Sequence, residues 1–240
     1  MSWHAKPSNA YSVGSVENNE NTDEIWSILY SYGYTEEAAA GVLGNIQAES
    51  GNNPWRWQKD TVSPTYSNGY GLFQYTPASG YINLSGTTPN LSTSTQTPGA
   101  TPEDGSRQVQ CYASNELRKW VSSAWRPYWS TTAYASLYAK RNQWLATWGS
   151  NDRISMSQFK VVTDIEAAAF FHLACFEGPR VPDLDTRYAY AQVFYAYIHD
   201  EPTPPVPPVP PVPPTPSANI PVWLMFAIRN NSKRNIDKNI

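Results

Sequence analysis

The chain has 240 residues, of which 40% are hydrophobic, and a formal net charge of −3. This length suits one domain of ordinary size with tails, and a charge so close to neutral does not favour nucleic acid as a partner. The mean hydropathy of −0.52 argues against several membrane spans, and no apolar run approaches the ~20 residues that a transmembrane helix needs. The first residues lack a charged segment followed by an apolar one, so no signal peptide is predicted.

Aromatic residues are unusually frequent, with 10 Trp and 16 Tyr. Such rings fill cores, and they also stack on the flat faces of sugars. Most of them are assigned to the core, and a few are expected to line a groove. The two cysteines, Cys111 and Cys175, lack a CxxC spacing, so they form either one disulfide or two buried thiols. We expect no metal ion and no cofactor.

The chain begins with a polar segment over residues 1–21, which predicts a flexible, irregular arm. Apolar residues then recur at helical spacing, which predicts a first helix that begins at Thr22 or Asp23 and stops at Gly33. Thr35 and the acids after it predict the start of a second helix, which runs to about Ser50. We expect the globular domain to cover residues 22–200.

Glu49 stands out in the second helix because it continues the apolar face. That face consists of Ala39, Val42, Leu43 and Ile46, and a further step of three reaches Glu49. Its carboxyl is therefore expected near the core and at the C-terminal end of a helix. Both surroundings disfavour the charged form and raise the pKa, as a general acid requires near neutral pH. The alternative is a solvated Glu in a fraying last turn.

Residues 55–80 carry many aromatic side chains among Gly, Ser, Thr and Pro, which predicts a loop or short β-hairpin. Asp60 is the only acid in this segment. A polar run over residues 85–102 is typical of a surface loop or insertion. Four more helices are predicted over about 104–119, 131–148, 164–176 and 185–200. Glu103 and Asp104 are expected to open the first of these, and Thr163-Asp164 is expected to cap the third. The fold class is therefore mainly α (α+β), with about six helices around a small β-hairpin or loop region.

Proline dominates the segment after the predicted domain: ten of the 21 prolines fall between 202 and 216. This composition predicts a stiff polyproline linker over residues 201–217, extending ~3 Å per residue. Residues 218–240 hold a short apolar stretch at 220–228 and a mostly basic end. They are expected to dock on another subunit or to contact a membrane interface without spanning it. A poorly ordered tail is the alternative.

Two sequence motifs occur in order, the first just before the aromatic segment and the second within it. Glu49-Ser50 is followed by Asn53-Pro54, and later comes Gly71-Leu72-Phe73-Gln74 with Pro77. These motifs resemble those of the lysozyme-like superfamily, which includes lytic transglycosylases and goose-type lysozymes. Phe73 replaces the Met that is usual in the second motif.

Within that superfamily, the chain is most similar to the phage tail lysozyme group, the glycosidase domains of tail-tip lysins. The similarity rests on Gly44-Asn45 ahead of Glu49 and on a late Phe176-Glu177-Gly178-Pro179 motif followed by Arg187. It covers about residues 20–200. It implies a lysozyme-like domain that is carried on the virion, in the phage tail, and acts on the host cell wall, with partners among other tail proteins through residues 218–240.

The resemblance also implies catalytic roles. Glu49 would protonate the glycosidic oxygen between N-acetylmuramic acid and N-acetylglucosamine in peptidoglycan strands. Asp60 is the candidate for a second carboxylate, because it is the only acid between Glu49 and the glutamine motif. If Asp60 faces solvent, then Thr61, Ser63 or Gln74 would hold a water and the chemistry would approach that of a lytic transglycosylase.

Substrate contacts are predicted for the glutamine motif and its aromatic neighbours. Gln74, Tyr75 and Gly71 are expected in the cleft, and Tyr70 and Trp57 are expected to stack on sugar rings. Two readings compete with a tail enzyme, namely a catalytically silent tail-tip or glycan-binding protein and a bacterial cell-wall remodelling enzyme.

Two other titratable residues are expected to have structural roles. Glu177 also ends an apolar helix face, and the simplest interpretation is a buried ion pair with Arg180 or Arg187. His172 lies on an apolar helix face, which is typical of a core residue.

Overall fold

A computed structural model describes residues 3–6, 10–58, 63–87 and 102–200, the last range without the side chains of 102 and 103. Asp60, the predicted linker over 201–217 and the predicted docking tail over 218–240 lie outside these ranges. Across the ranges that are described, no helix is both long enough and apolar enough to cross a membrane.

The described residues form eight α-helices and one π-helical turn, so the predicted mainly-α architecture is confirmed. In chain order these are α1 (Val16–Ser31), α2 (Glu36–Ser50), α3 (Ala78–Ser85), α4 (Pro102–Ala113), α5 (Ala135–Trp148), α6 (Met156–Phe159), α7 (Ile165–His172), the π turn (Leu173–Glu177) and α8 (Leu184–Ile198). The short helices α3 and α6 were not predicted. In place of a full hairpin, the aromatic segment has isolated antiparallel bridges, Trp57 with Tyr70 and Tyr70 with Tyr75.

Helix α1 begins at Val16, so the predicted start at Thr22 or Asp23 was wrong. The hydroxyl of Ser15 caps it by accepting a hydrogen bond from the backbone N–H of Asn18. The reason for the error is that the first turns are buried through polar side chains, which apolar periodicity does not detect. The amide of Asn18 donates to Oε1 of Gln47 at 2.9 Å, and both residues are buried.

The predicted ends of α2 are confirmed. Thr35 is the N-cap, and its hydroxyl accepts a hydrogen bond from the backbone N–H of Ala38. Gly51 closes the helix with a left-handed φ of 61°, a conformation that favours glycine. The N-cap of α7, Asp164, is also as predicted, since its carboxylate accepts from the N–H of Ala167 at 2.8 Å.

Two other predicted helix ends differ from the structure. Helix α4 stops at Ala113 and not near residue 119, because the chain turns at Asn115, which has a positive φ of 55°. Asparagine tolerates this left-handed conformation better than most residues. Helix α5 begins at Ala135, a few residues after the predicted start at 131.

Helix α2 lies at the centre of the domain, against α7 and α8. A Cβ atom at Gly41 would lie 2.6 Å from the backbone of Ala168 in α7, and one at Gly44 would lie 2.2 Å from the carbonyl oxygen of Arg187 in α8. These distances are too short for any side chain. The absence of Cβ atoms at two positions of α2 therefore allows the three helix backbones to approach closely.

The aromatic segment packs against α3 and α4 through its rings. Phe73 stacks on Tyr112 of α4 with ring centroids 4.5 Å apart, and Tyr75 stacks on Tyr81 of α3 at 5.0 Å. Offset stacks of this kind add to the stabilisation from burial. The aromatic richness of the sequence thus serves mainly the core.

Both cysteines are buried free thiols, Cys111 in α4 and Cys175 in the π turn. Of the two alternatives that the sequence left open, the structure has the pair of thiols. Burial raises the pKa of each thiol, which keeps them in the less reactive protonated form.

The close approach of α2 and α8 predicts that Gly44→Ala destabilises the domain. The added methyl group would force the backbones apart, at a cost of roughly 1–3 kcal/mol. Gly80→Ala in α3 is the matched control, because a Cβ there meets nothing within 4 Å and should stabilise by about 0.4–1 kcal/mol. Urea unfolding of the two variants measures both effects, and equal stabilities would contradict the packing argument.

Candidate functional site

A groove of about 380 Å³ opens at the C-terminal end of α2. Its walls come from α2, the aromatic segment, the stretch after α4 and the π turn. It is lined by Glu49, Gln58, Phe73, Gln74, Thr76, Lys119, Phe176, Glu177 and Pro179. Of the site residues predicted from sequence and described in the structure, Glu49 and Gln74 line this groove.

Glu49 is held at the edge of the groove by a buried arginine. Its side chain is 25% exposed, and Nη2 of Arg187 donates a hydrogen bond to its Oε1. Burial raises the pKa of Glu49, and the charge of Glu177 raises it further, while the Arg187 guanidinium opposes both. The net effect is a raised pKa, in the direction that the position in α2 predicted.

Arg187 is itself held in place by Asn45, one turn before Glu49. Nη1 of Arg187 donates to Oδ1 of Asn45 at 3.0 Å. The amide of Asn45 donates in turn to the carbonyl oxygens of Gly41 at 2.8 Å and of Ala169 at 3.1 Å. Asn45 thus joins α2, α7 and α8 and orients the guanidinium that reaches Glu49.

Glu177 is the second carboxyl of the groove, and its place depends on the π turn. The backbone N–H of Gly178 donates to the carbonyl of Leu173 at 2.7 Å, the i to i+5 bond of a π-helix. This winding brings Glu177 beside His172, five residues earlier, with 3.2 Å between Oε1 and Nε2. The predicted ion pair with Arg180 or Arg187 was wrong, since Arg187 binds Glu49 instead.

The electrostatics of Glu177 are dominated by burial. Its side chain is only 10% exposed, and burial raises its pKa to about 7, against the opposing charges of Arg187, Lys119 and Arg126. This carboxyl can therefore gain or lose a proton near neutral pH.

His172 is fully buried, in agreement with its assignment to the core. Burial lowers its pKa to about 3, so the ring is neutral near neutral pH. Its Nδ1 lies 2.9 Å from the phenol oxygen of Tyr112, which is also buried. With both nitrogens engaged, the ring connects Glu177 to the aromatic core.

Gly71 supports the glutamine motif and does not line the groove. Its φ is 80°, and a Cβ atom there would lie 2.2 Å from Oε1 of Gln108. That oxygen accepts the backbone N–H of Leu72 at 2.6 Å, while the amide nitrogen of Gln108 donates to the carbonyl of Pro54 at 2.7 Å. Gly71 therefore permits the close approach of a buried glutamine, which is a structural role.

Gln74 presents an acceptor to the groove. Its amide nitrogen donates to the backbone carbonyls of Arg56 at 3.0 Å and Gly71 at 2.9 Å. Both N–H groups are thus used, and Oε1 has no hydrogen bond to any described residue. The backbone of Gln74 has a positive φ of 43°, which is uncommon outside glycine and often marks a functional position.

Trp57, Tyr70 and Tyr75 were predicted to contact sugar, but all three are buried, with exposures of 0%, 0% and 1%. Their polar tips serve the core: the Tyr70 hydroxyl donates to Oδ2 of Asp104 at 2.9 Å and the Tyr75 hydroxyl to the carbonyl of Gln108 at 3.0 Å. These rings therefore have a structural place and offer no open face to a ligand.

Asp104 is a buried carboxylate that sequence reasoning treated only as a helix-start acid. It is 5% exposed and accepts hydrogen bonds from Tyr70, Tyr81 and Gln108. Burial raises its pKa although these donors oppose the shift. Asp104 thus anchors the aromatic segment behind the groove.

The remaining predicted residues contribute little to the described site. Asp60 and Thr61 lie outside the described residues, and Ser63 is exposed and not part of the groove lining. Among the residues that are described, no three His, Cys, Asp or Glu side chains are arranged to hold a metal ion.

The chain is similar to known phage proteins. The family model for phage tail lysozymes matches residues 20–198. Morphogenesis protein 1 of Bacillus phage B103 is 43% identical over 75 residues, which is 31% of this chain and 20% of that protein. The aligned part therefore spans only a fifth of the relative's length.

Because the pKa of Glu177 is raised, we expect its contribution to the free energy of unfolding to fall as pH rises. Between its ordinary value of 4.5 and about 7, the folded chain binds more protons than the unfolded chain, so the free energy of unfolding falls with pH. Glu177→Gln removes this effect. Relative to the parent, the variant should gain up to roughly 3 kcal/mol between pH 4.5 and pH 8.

Urea unfolding of both proteins across this pH range measures the difference. The neutral His172 gives the opposite trend, because its lowered pKa makes stability rise with pH from about 3 towards 6.5. Both proteins retain His172, and its contribution is complete by about pH 6.5, so the difference between the two profiles above that pH reports on Glu177. Parallel stability profiles for the two proteins would contradict the prediction.

Proposed function

The chain belongs to the phage tail lysozyme family, and we propose on this basis that it cleaves the β-1,4 bond between N-acetylmuramic acid and N-acetylglucosamine. The family supports a peptidoglycan-degrading enzyme associated with the virion. The observation that carries the specific proposal is Glu49, a carboxyl of raised pKa that lines the groove and is held by Arg187.

In this proposal Glu49 is the general acid. Arg187 donates to its Oε1, so Oε2 is the oxygen that carries the proton to the glycosidic oxygen. Proton donation of this kind typically accelerates a reaction by ~10²–10⁴-fold. The transition state has oxocarbenium character, and an ionised carboxyl in the partly buried groove would stabilise the positive charge that develops on the sugar.

The groove also offers groups that suit an N-acetylated sugar. Oε1 of Gln74 would accept a hydrogen bond from a hydroxyl or amide N–H of the glycan, because both N–H groups of its own amide are used. Phe176 adds apolar surface to the lining, against which the flat face of a sugar can pack. Six of the nine lining residues have polar or charged side chains, which suits a substrate that carries many hydroxyl groups.

The location and partners are a separate part of the proposal. We place the enzyme in the phage tail, where it would open the cell wall for genome entry, and we assign residues 218–240 to docking on other tail proteins. The support is the family and the relative's name, a morphogenesis protein. Asp60 stays a candidate for a second catalytic carboxylate, on the sequence argument alone.

The catalytic proposal predicts that Glu49→Gln lowers the rate of peptidoglycan cleavage by ~10²–10⁴-fold, since the amide cannot donate the proton. Glu166→Gln is the matched control: Glu166 lies on α7, paired with Lys140 and outside the groove, and should leave the rate unchanged. Release of soluble muropeptides from purified sacculi measures both. Cleavage by Glu49→Gln at the parent rate would exclude Glu49 as the acid.

The products of the parent enzyme separate two chemistries. Hydrolysis leaves a reducing muramic acid end, whereas a lytic transglycosylase leaves a 1,6-anhydro end. Mass spectrometry of the released fragments distinguishes them, because the two products differ by the mass of one water. We expect reducing ends. Binding of glycan without any cleavage would favour a catalytically silent tail-tip protein.

Removal of residues 202–240 tests the docking role. We expect the shortened chain to cleave sacculi at the parent rate, because the groove lies wholly within residues 49–179. Incorporation into phage particles should be lost. A shortened chain that enters particles normally would contradict docking through this segment.

A further inference from the structure

Glu177 has so far been given no role, although it lines the same groove as Glu49. We propose, on the basis of the glycosidase function above, that Glu177 is the second catalytic carboxyl, the base that activates the attacking water while Glu49 protonates the leaving oxygen. This assignment concerns a residue that sequence reasoning placed in a structural ion pair. It rests on the position of the carboxyl in the groove and on its hydrogen-bond partner.

Glu49 and Glu177 line the same groove. Glu49 ends α2 and Glu177 ends the π turn, and both contribute to the wall of the groove. The charge of Glu177 is felt at Glu49, where it raises the pKa. The two carboxyls therefore titrate as a coupled pair, and in the form with Glu177 ionised Glu49 keeps its proton.

Within the part of the chain that the structure describes, Glu177 forms no ion pair with an arginine. The guanidinium of Arg187 donates instead to Glu49 and Asn45. Among the described residues, Glu177 has one hydrogen bond, to Nε2 of His172. Burying a carboxyl with a single neutral partner costs stability. Titratable groups buried at such a cost are common at functional sites, where they transfer protons.

His172 orients the carboxyl of Glu177. The ring is neutral, and in the tautomer that accepts the phenol of Tyr112 at Nδ1 the proton is on Nε2, facing Oε1 of Glu177. This bond directs one carboxylate oxygen inward, and Oε2 is the oxygen that remains for a water in the groove. A neutral histidine positions the carboxylate without supplying a charge that would remove its basicity.

The π turn determines where the carboxyl of Glu177 lies. In a regular α-helix with 3.6 residues per turn, a residue five positions on lies well around the helix from its starting point. The i to i+5 bonding here brings Glu177 next to His172, so the irregular winding is what aims the carboxyl at the groove. π-Helical turns occur frequently at functional sites.

In the proposed step, each bond that breaks is matched by one that forms. Water attacks the anomeric carbon, its oxygen forms the new C–O bond, and one of its protons passes to Oε2 of Glu177. The bond between the anomeric carbon and the glycosidic oxygen breaks, and that oxygen takes the proton of Glu49. Glu177 ends protonated and Glu49 ionised, and exchange with solvent restores both. Because the carboxyls interact, the active form is the pair that holds one proton.

The test compares Glu177→Gln and Glu177→Ala with the parent on peptidoglycan sacculi. Loss of the base should lower kcat by ~10²–10⁴-fold, and Glu177→Gln should also lose the acid limb of the pH profile of kcat/KM. In Glu177→Ala, azide can enter the vacated space and attack the anomeric carbon without a base. We expect added azide to restore cleavage and to give a glycosyl azide product, which a purely structural role for Glu177 would not produce.

Each other outcome overturns the assignment. Glu177→Gln within about threefold of the parent rate, or a folded Glu177→Ala that azide does not rescue, would leave Glu177 with a structural role. A 1,6-anhydro product from the parent would exclude an attacking water. Failure of the proposed function itself is recognised separately, because the parent enzyme and Glu166→Gln would then release no fragments at all.

Discussion

The bond between Arg187 and Glu49 depends on how closely three helices pack. Gly41 and Gly44 let the backbone of α2 touch those of α7 and α8, and Asn45 fills the junction with hydrogen bonds to both neighbours. Only at this separation does a guanidinium from α8 reach the end of α2. The close packing of these helices therefore determines where the Glu49 carboxyl lies and which group it contacts.

The rest of the groove is supported by a second buried network on the other side. Asp104 and Gln108 of α4 collect the hydroxyls and backbone groups of the aromatic segment. This network holds Gln74 in its uncommon backbone conformation while its own members stay out of the groove. Satisfied buried polar networks of this kind specify one arrangement of a core, and here that arrangement gives the site its second wall.

The parts of the site that follow from local rules could be predicted from the sequence. Helical periodicity placed Glu49 at the core-facing end of α2, and cap chemistry identified Thr35 and Asp164. It could not separate a ring that faces a groove from one that faces the core, so Trp57 and Tyr70 were misplaced. The π turn at Glu177 and the buried polar start of α1 leave no periodic signature, since both depend on contacts with distant residues.

Cys111 and Cys175 are buried, unpaired thiols, and nothing that stabilises the described domain relies on a covalent cross-link. Its folding is therefore indifferent to redox potential. The same chain can fold in a reducing cytosol and then work in an oxidising medium, with no bond to form or to lose on the way. For a member of the phage tail lysozyme family, that indifference removes one dependence on the surroundings.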